Sequence, residues 1–512
     1  MQRMEIIIRY VDEEDQVLSE SNMSFQTLDV DSIPREERLD QLESDTLDKG
    51  HEIMRLMFLS QCQLVDQQLA ERREHSSPDC HVQFDGDDPL KIASRLGILQ
   101  LPRQVCYCET CDQHFIPMND WLPEHGGMIT TRGLQEWACL LPQELPFSTA
   151  GRLLGWVAKE PSVLSQTQLR TLVREHGGKI RQGEAAEVSE LSTSRDLSEK
   201  TPKLLPLDTP RRHPSWPGEL HDAVEQALAE ESANPPEGIS QKDWDRVQAI
   251  AYQKQARDEE APDEEVPDLA RLGPKVNDNQ VVASADGIQV RRPEKRRFHE
   301  LRTAKVVTSK GYRYVSGVDA GFLEYLLLLI RLCLPEGGFL TVLADGAYWI
   351  REFYAECLHY IKHGELILDW YHLAKKCKDL CCMIAKGREA KDTLLSSLKR
   401  KLWYGKVSDS LSLLEAYRPQ TKNEKRLYEL IGYLRKHEAE IPDYNERRIH
   451  CQFNGSGHVE KANDLLVARR QKHQGMHWSL ETSDSLCALK TLMLNHGWEL
   501  YWQKREVISL AA

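Results

Sequence analysis

The chain has 512 residues, too many for one ordinary domain, so roughly two to four domains are expected. A hydrophobic share of 40% supports packed cores, while a mean hydropathy of -0.53 leaves a sizeable part to solvent. The net charge of -14 argues against a nucleic-acid surface spread over the whole chain, and no apolar run reaches the roughly 18 residues that a membrane helix needs. The longest such run, Phe322–Leu334, carries Glu324 and Arg331 and reads as a buried helix. The opening MQRMEIIIRYVDEEDQ lacks a signal-peptide layout, and thirteen cysteines without one point to reduced thiols and a cytoplasmic protein.

The charge is uneven. Residues 1–80 sum to -11, 81–180 to -2, 181–280 to -10 and 281–512 to +9, so the C-terminal half is the part suited to phosphates. Along the chain, Glu5–Tyr10 predicts a short strand, and Arg35–Glu74 an amphipathic helical stretch with Leu39, Leu42, Leu47, Met54, Met57 and Leu64 near helical spacing. Residues 1–74 form an N-terminal helical region, followed by a Cys/His segment over 75–128. Within it Cys108-Glu-Thr-Cys111 has the spacing of a zinc ligand pair, with Cys80 and His81 as the best partners and His75, Cys106 and His114 as others. Ordinary buried thiols are the alternative.

Residues 129–179 predict short helices, Phe147–Ala158 and Ser165–His176. The second opens on a capping box, Ser165 with Gln168, and its end is expected at Gly177-Gly178. Such helices fit a helix-turn-helix-like DNA-binding domain with Gln166, Gln168 and Arg170 facing a groove, or a simple packing role. Residues 180–278, rich in Glu, Asp, Pro, Ser and Ala, read as an acidic, largely disordered linker with a helical island at Gln241–Lys254.

From Gln280 onward strands lead into helices. Strands are expected at Val281–Ala285, Lys305–Ser309, Tyr312–Val318, Phe339–Ala344 and Glu365–Leu368, with helices at Phe322–Cys333 and Ala347–Ile361. That order fits an α/β domain over 279–505 with an RNase H-like mixed sheet and a helical insertion at about 373–450. Two of the strands end in Asp-Gly, at Asp286-Gly287 and Asp345-Gly346. An aspartate at the rim of a sheet can serve as a hard oxygen ligand, although Asp-Gly is also a plain turn signal. Glu460 follows the Gly455-Ser-Gly457 turn in the first turn of a helix. Three such carboxylates could hold two Mg²⁺ (or Mn²⁺) ions for in-line phosphodiester displacement.

Residues 280–505 resemble the ISKra-type insertion-sequence transposases of the Mutator-like DDE group. The matching segments are Ser284-Ala-Asp-Gly287, Leu343-Ala-Asp-Gly-Ala-Tyr-Trp-Ile350, Ile367-Leu-Asp-Trp-Tyr-His-Leu373, Gly455-Ser-Gly-His-Val-Glu460, Arg469–Trp478 and Asn495-His-Gly-Trp498. The resemblance implies a bacterial, nucleoid-associated transposase in which Asp286, Asp345 and Glu460 hold Mg²⁺. Its partners would be DNA, both terminal repeats and target, and a second protomer in a dimer or larger assembly. It also implies an acid-x-x-His motif, here Asp369-Trp-Tyr-His372, in which Asp369 orients His372; a helix cap is the alternative. Related transposases often carry a Cys-x-x-Cys pair where this chain has His75–Cys80, a departure that bears on zinc. Arg296 and Arg297, with Arg291, Arg292 and Lys295, predict a basic β-turn near DNA. Lys461, Arg469, Arg470, Lys472 and His473 predict a phosphate-facing surface, and Trp478 a base-stacking indole; a solvated face with a core tryptophan is the alternative. Two other functions remain open on the sequence: a domesticated, catalytically silent DNA-binding protein, and a nuclease without strand transfer.

Overall fold

In the computed structural model, the described residues are all but 1–2, 30–32, 73–79, 125–126, 193–196, 198–199, 207–240, 242–243, 245–275, 295–296, 451, 456, 473–474, 505–508 and 511–512. Most of the expected linker, nearly all of the expected helix at 241–254, and His75, Lys295, Arg296 and His473 therefore lie outside the description. The chain is a mixed α/β protein with several sheets and divides into two compact units, Met1–His176 and Gly177–Ala512. No helix among the described residues is long and apolar enough to cross a membrane.

The first unit begins with an antiparallel hairpin of β1 (Arg3–Val11) and β2 (Val17–Gln26), then the 34-residue helix α1 (Arg38–Glu71). Two small three-stranded sheets follow, built from β3 (Val82–Asp87), β4 (Leu90–Ser94), β5 (Gly97–Leu101), β6 (Gln104–Cys108), β7 (Gln113–Phe115) and, after the short α2 (Met118–Trp121), β8 (Ile129–Thr130). Cys62, Leu90, Ile92, Leu101 and Met118 pack one of these sheets against α1 and α2, while Val82, Cys106 and Cys108 form the core of the other. The helices α3 (Arg132–Leu140) and α4 (Phe147–Val157) complete the unit. α5 (Gln166–Leu191) starts on the expected capping box, in which Ser165 N donates to Gln168 Oε1 and Gln168 N to Ser165 Oγ. It does not stop at Gly177-Gly178. The helix runs through both glycines, because Gly177 meets another helix so closely that a Cβ would lie 2.4 Å from the Ser485 Cβ. A glycine pair that looked like a C-cap is a packing contact on one side and open space on the other.

The second unit is organised on a five-stranded sheet in the order β11-β10-β9-β12-β13. Its strands are β9 (Gln280–Arg291), β10 (Phe298–Thr308), β11 (Gly311–Gly317), β12 (Phe339–Ala344) and β13 (His363–Leu368). The first three pair antiparallel, and β12 lies parallel to both β9 and β13. The helices α6 (Asp319–Cys333) and α7 (Tyr348–Cys357) cover one face, on Val281, Ala283, Ala285, Ala304, Leu340 and Val342. Because strand side chains alternate, Val282, Leu343 and Ile367 point the other way. They pack against the helices α8 (Trp370–Ile384), α9 (Arg388–Trp403), α10 (Val407–Tyr417), α11 (Glu424–Lys436) and the short α12 (Tyr444–Ile449). α13 (Gly457–Asn463) returns to this second face at β9 and β10, and α14 (Leu480–Leu494) and α15 (Trp498–Lys504) close the chain.

One expectation needs correction. Asp286-Gly287 is not a turn at a strand end but lies in the middle of β9, with Asp286 opposite Thr303 and Gly287 opposite Arg302. The ladder to β10 continues to Arg291 opposite Phe298, and it holds the backbone extended where composition alone signals a bend. The strand β10 accordingly begins at Phe298, well before Lys305.

Candidate functional site

What ends near Asp286 is the parallel pairing to β12, whose last matched residues are Leu343 and Ser284. Two residues beyond that pair stand Asp286, still within β9 and on the face of Val282, and Asp345, one residue past the end of β12. On the other side of β12, Ala344 is opposite Leu368, and the Asp369 N–H donates to the Ala344 carbonyl at 2.7 Å. Three neighbouring strands thus deliver Asp286, Asp345 and Asp369 to one rim of the sheet. Asp345 leaves β12 in a tight turn: its Oδ1 accepts from Ala347 N at 2.8 Å, and Gly346 takes a φ of +92°.

Glu460 reaches this rim through α13. Asn463, one turn after Glu460 and so on the same side of the helix, donates from Nδ2 to Asp286 Oδ2. The Thr303 hydroxyl donates to the Asn463 Oδ1, which ties α13 to β10 as well. Burial first, and then the negative charge of Asp345, push the Asp286 carboxyl up to about 6; the Gly287 N–H and His372 oppose this, and Glu460 adds to it. Asp345 and Glu460 are therefore both within electrostatic reach of Asp286. Their oxygens stand further apart than a closed cluster, since among the described residues only Cys80, Cys108 and Cys111 bring ligand atoms all within 4.8 Å of one another.

Asp369 is both cap and orienting group. It is 1% exposed, and its Oδ1 accepts from His372 N at 2.8 Å while lying 3.1 Å from His372 Nδ1. The Asp369 hydrogen bond leads in raising the His372 imidazolium above its usual range, with Asp345 and Asp286 adding smaller contributions. The imidazole is thus pinned at the same rim as the carboxylates. Gly455 of the turn before α13 lies across this motif, where a Cβ would be 3.0 Å from the Tyr371 ring and 3.3 Å from Asp369 Oδ2. Nothing in composition pointed to Asn463. Nor did it point to the π-helical turn Asp464–Ala468, which lets α13 continue into Arg469–Gln471.

The basic residues beyond Glu460 fall into two groups. Lys461, Arg469 and Lys472 are exposed, the first two beside Asp464. Arg470 and Trp478 are not on the surface: they are 6% and 5% exposed, the guanidinium stacks 4.6 Å over the indole, and Trp478 Nε1 donates to the Gln471 carbonyl. The expected base-stacking indole is a core residue here, because the chain after Gln471 folds back so that Trp478 N bonds to the Arg291 carbonyl. Arg297 is exposed in the β9–β10 turn, where its carbonyl accepts from Arg292 N. Gln166 and Arg170 are exposed on α5, Arg170 5.4 Å over the Phe147 ring, while the Gln168 side chain is engaged in the capping box.

In the first unit, β6 places Cys108 in the core. The turn to β7 brings Cys111 alongside it, and Cys80 arrives just before β3, with its sulfur 3.5 Å from that of Cys111. These three thiols could hold a metal ion. Hydrogen bonds to Cys80 and Cys108 push the Cys111 thiol up to about 11. His81, Cys106 and His114 fall outside the cluster; His114 faces Tyr107 and Asp85 instead. No protein-family model matches the chain, and no curated protein matches it significantly.

Proposed function

We propose that the chain is a DNA transposase of the ISKra-type, Mutator-like DDE group, with an RNase H-like core in its second unit. The observation that carries this reading is that Asp286 and Asp345 each stand two residues past the last matched pair of the parallel strands β9 and β12, with the Glu460 helix tied to Asp286 by the bond from Asn463. The strand order, three antiparallel strands followed by two parallel ones, supports the fold assignment. The donor chemistry suits Mg²⁺ or Mn²⁺. Carboxylate oxygens are hard ligands, and burial first, then the charge of Asp345, already raises Asp286. Two such ions, when bound, would activate the attacking hydroxyl and stabilise the leaving oxygen.

The chain's own residues then have distinct tasks. Asp286, Asp345 and Glu460 hold the charge that draws the cations, and Asn463 fixes the direction of Asp286. Asp369 keeps His372 turned toward the rim, where a cationic imidazole contacts the scissile phosphate. Lys461, Arg469, Lys472 and Arg297 offer the sequence-independent contacts that a phosphate backbone requires. Gln166 and Arg170 are the candidates for reading terminal repeats.

The test is an assay with Mg²⁺, a pre-cut DNA end taken from the flanks of the coding region, and a target duplex. Joined product is expected from the unaltered chain. Asp345→Ala should lose cleavage and joining by at least about a thousandfold while binding DNA as before, as expected for loss of transition-state charge stabilisation. Cleavage without joining would leave a nuclease, and binding without either would leave a silent DNA-binding protein.

For the thiol cluster we propose Zn²⁺, whose preference for thiolates matches Cys80, Cys108 and Cys111. Purified chain should contain zinc at close to one ion per chain by elemental analysis, and Cys108→Ser should lose it. Metal-free wild-type protein that takes up no zinc would make the three thiols ordinary core residues.

A further inference from the structure

The helical insertion reaches back onto the carboxylate rim through a buried histidine. His437 follows α11 and is 1% exposed. Its ring lies against Gly346, where a Cβ would be 2.9 Å from His437 Cε1 and 3.3 Å from Nε2. Behind the ring, Nδ1 is 2.6 Å from Glu440 Oε2, while Arg351 of α7 sets its Nε 2.6 Å from Glu440 Oε1. An Arg351 Nη2 also comes within 2.9 Å of Nδ1. One nitrogen cannot donate to a carboxylate and accept from a guanidinium at once. The shorter contact, with Arg351 already paired to the same carboxylate, makes Nδ1–H the donor to Glu440.

A buried histidine against a partly buried ion pair is an expensive way to fill space, since apolar side chains of similar volume would pack there at less desolvation cost. The arrangement makes sense if the orientation of the ring matters. Tyr433, one turn earlier on α11, has its ring 4.5 Å from that of His437. Its hydroxyl is held above the usual range by burial first, then by Cys377 and by Asp345. Through His437, this end of α11 meets the Asp345–Gly346 turn.

We propose that His437 is a positioning residue for the carboxylate site: locked by Glu440 and Arg351, it holds the Asp345–Gly346 turn and so sets the direction of the Asp345 carboxylate. The inference rests on the reading of Asp345 as a cation ligand. It makes the insertion part of the active site, so that α7, α11 and β12 become one mechanical unit around a single turn.

The test uses the full chain and Mn²⁺ as probe, with binding followed by electron paramagnetic resonance in the absence of DNA. His437→Ala should raise the Mn²⁺ dissociation constant about tenfold, as expected when a group supporting a metal ligand is removed. Affinity for DNA in EDTA should not change. Gly346→Ala should weaken Mn²⁺ binding at least as much, because its new methyl group meets the ring and a φ of +92° strains any residue with a side chain. In the His437→Ala background that added penalty should shrink, since the obstructing ring is gone. Wild-type Mn²⁺ affinity in His437→Ala, or an equal Gly346→Ala penalty in both backgrounds, overturns the proposal. If His437→Ala does not fold, His437→Asn, which can still donate to Glu440 but no longer reaches Gly346, takes its place, and unchanged Mn²⁺ affinity there overturns the proposal too. A wild-type chain whose Mn²⁺ binding is indifferent to Asp345→Ala would instead sink the cation reading of Asp345 itself.

Discussion

Asp286 shows how a site residue can work against the stability of its own fold. Its carboxyl sits at about 6 in the folded chain, against an ordinary value of 3.8. A raised carboxyl contributes stability that is complete below the ordinary value and is lost as pH rises through about 6. At neutral pH the ionised group therefore costs the metal-free fold at most about 3 kcal/mol. Asp286→Asn removes the charge, but it leaves the Asn463 Nδ2 facing an amide that can accept one bond fewer, a loss of about 1 kcal/mol. The net expectation is a gain of about 1–2 kcal/mol at pH 7.5 in EDTA, vanishing by pH 4. Thermal unfolding across that range checks it, and a variant no more stable than wild type at pH 7.5 would mean that Asp286 is not strained. His372 is raised as well, by Asp369 first, so its contribution is likewise lost as pH rises, but there it is the charged form that the fold favours. Asp369→Asn should return its titration downward, which proton NMR of the imidazole can follow.

At the scale of elements, glycines divide what the sequence revealed from what it hid. The Ser165–Gln168 box was legible because a cap is a local arrangement, and the structure has both of its bonds. The end of that helix was not legible, because the reason Gly177 is glycine lies more than three hundred positions away at Ser485. Gly177→Ala should destabilise the chain by about 2 kcal/mol or more through overpacking, although alanine is the better helix former. Gly178→Ala, with nothing within 4 Å, should stabilise it by about 0.5–1 kcal/mol. Opposite signs in adjacent substitutions, read by denaturant midpoints, distinguish a packing glycine from a terminating one. The same logic covers the site. The Asp-Gly pairs and the Glu460 helix stood out as residues, yet their relation depends on strand register, which no local pattern encodes. Asn463 and His437 were invisible for that reason. Each matters through a partner distant in the chain, Asp286 for one and Gly346 for the other. For Trp478 the sequence leaves surface and core both open, and the backbone pairing to Arg291, far away in the chain, decides for the core.

For the molecule as a whole, charge and site fall on the same part of the chain. Net charge is -14, yet residues 281–512, which contain the rim, carry +9. Binding to DNA should therefore come from this region and be steeply weakened by salt, since each phosphate neutralised contributes a slope of about -0.9 in log affinity against log salt. Not every cation there should count. Lys472 is exposed, whereas Arg470 is buried over Trp478. Lys472→Ala should lower the magnitude of the slope by about 0.9 and leave the melting temperature unchanged. Arg470→Ala should leave the slope as it is and destabilise the fold, because it empties a packed site beside the indole. Both can be measured on the full chain by titrating labelled duplex at several salt concentrations next to thermal unfolding. If the two substitutions changed the slope equally, the division between surface and core drawn around Trp478 would be wrong, and the phosphate path would have to reach Arg470 as well as the exposed Lys472.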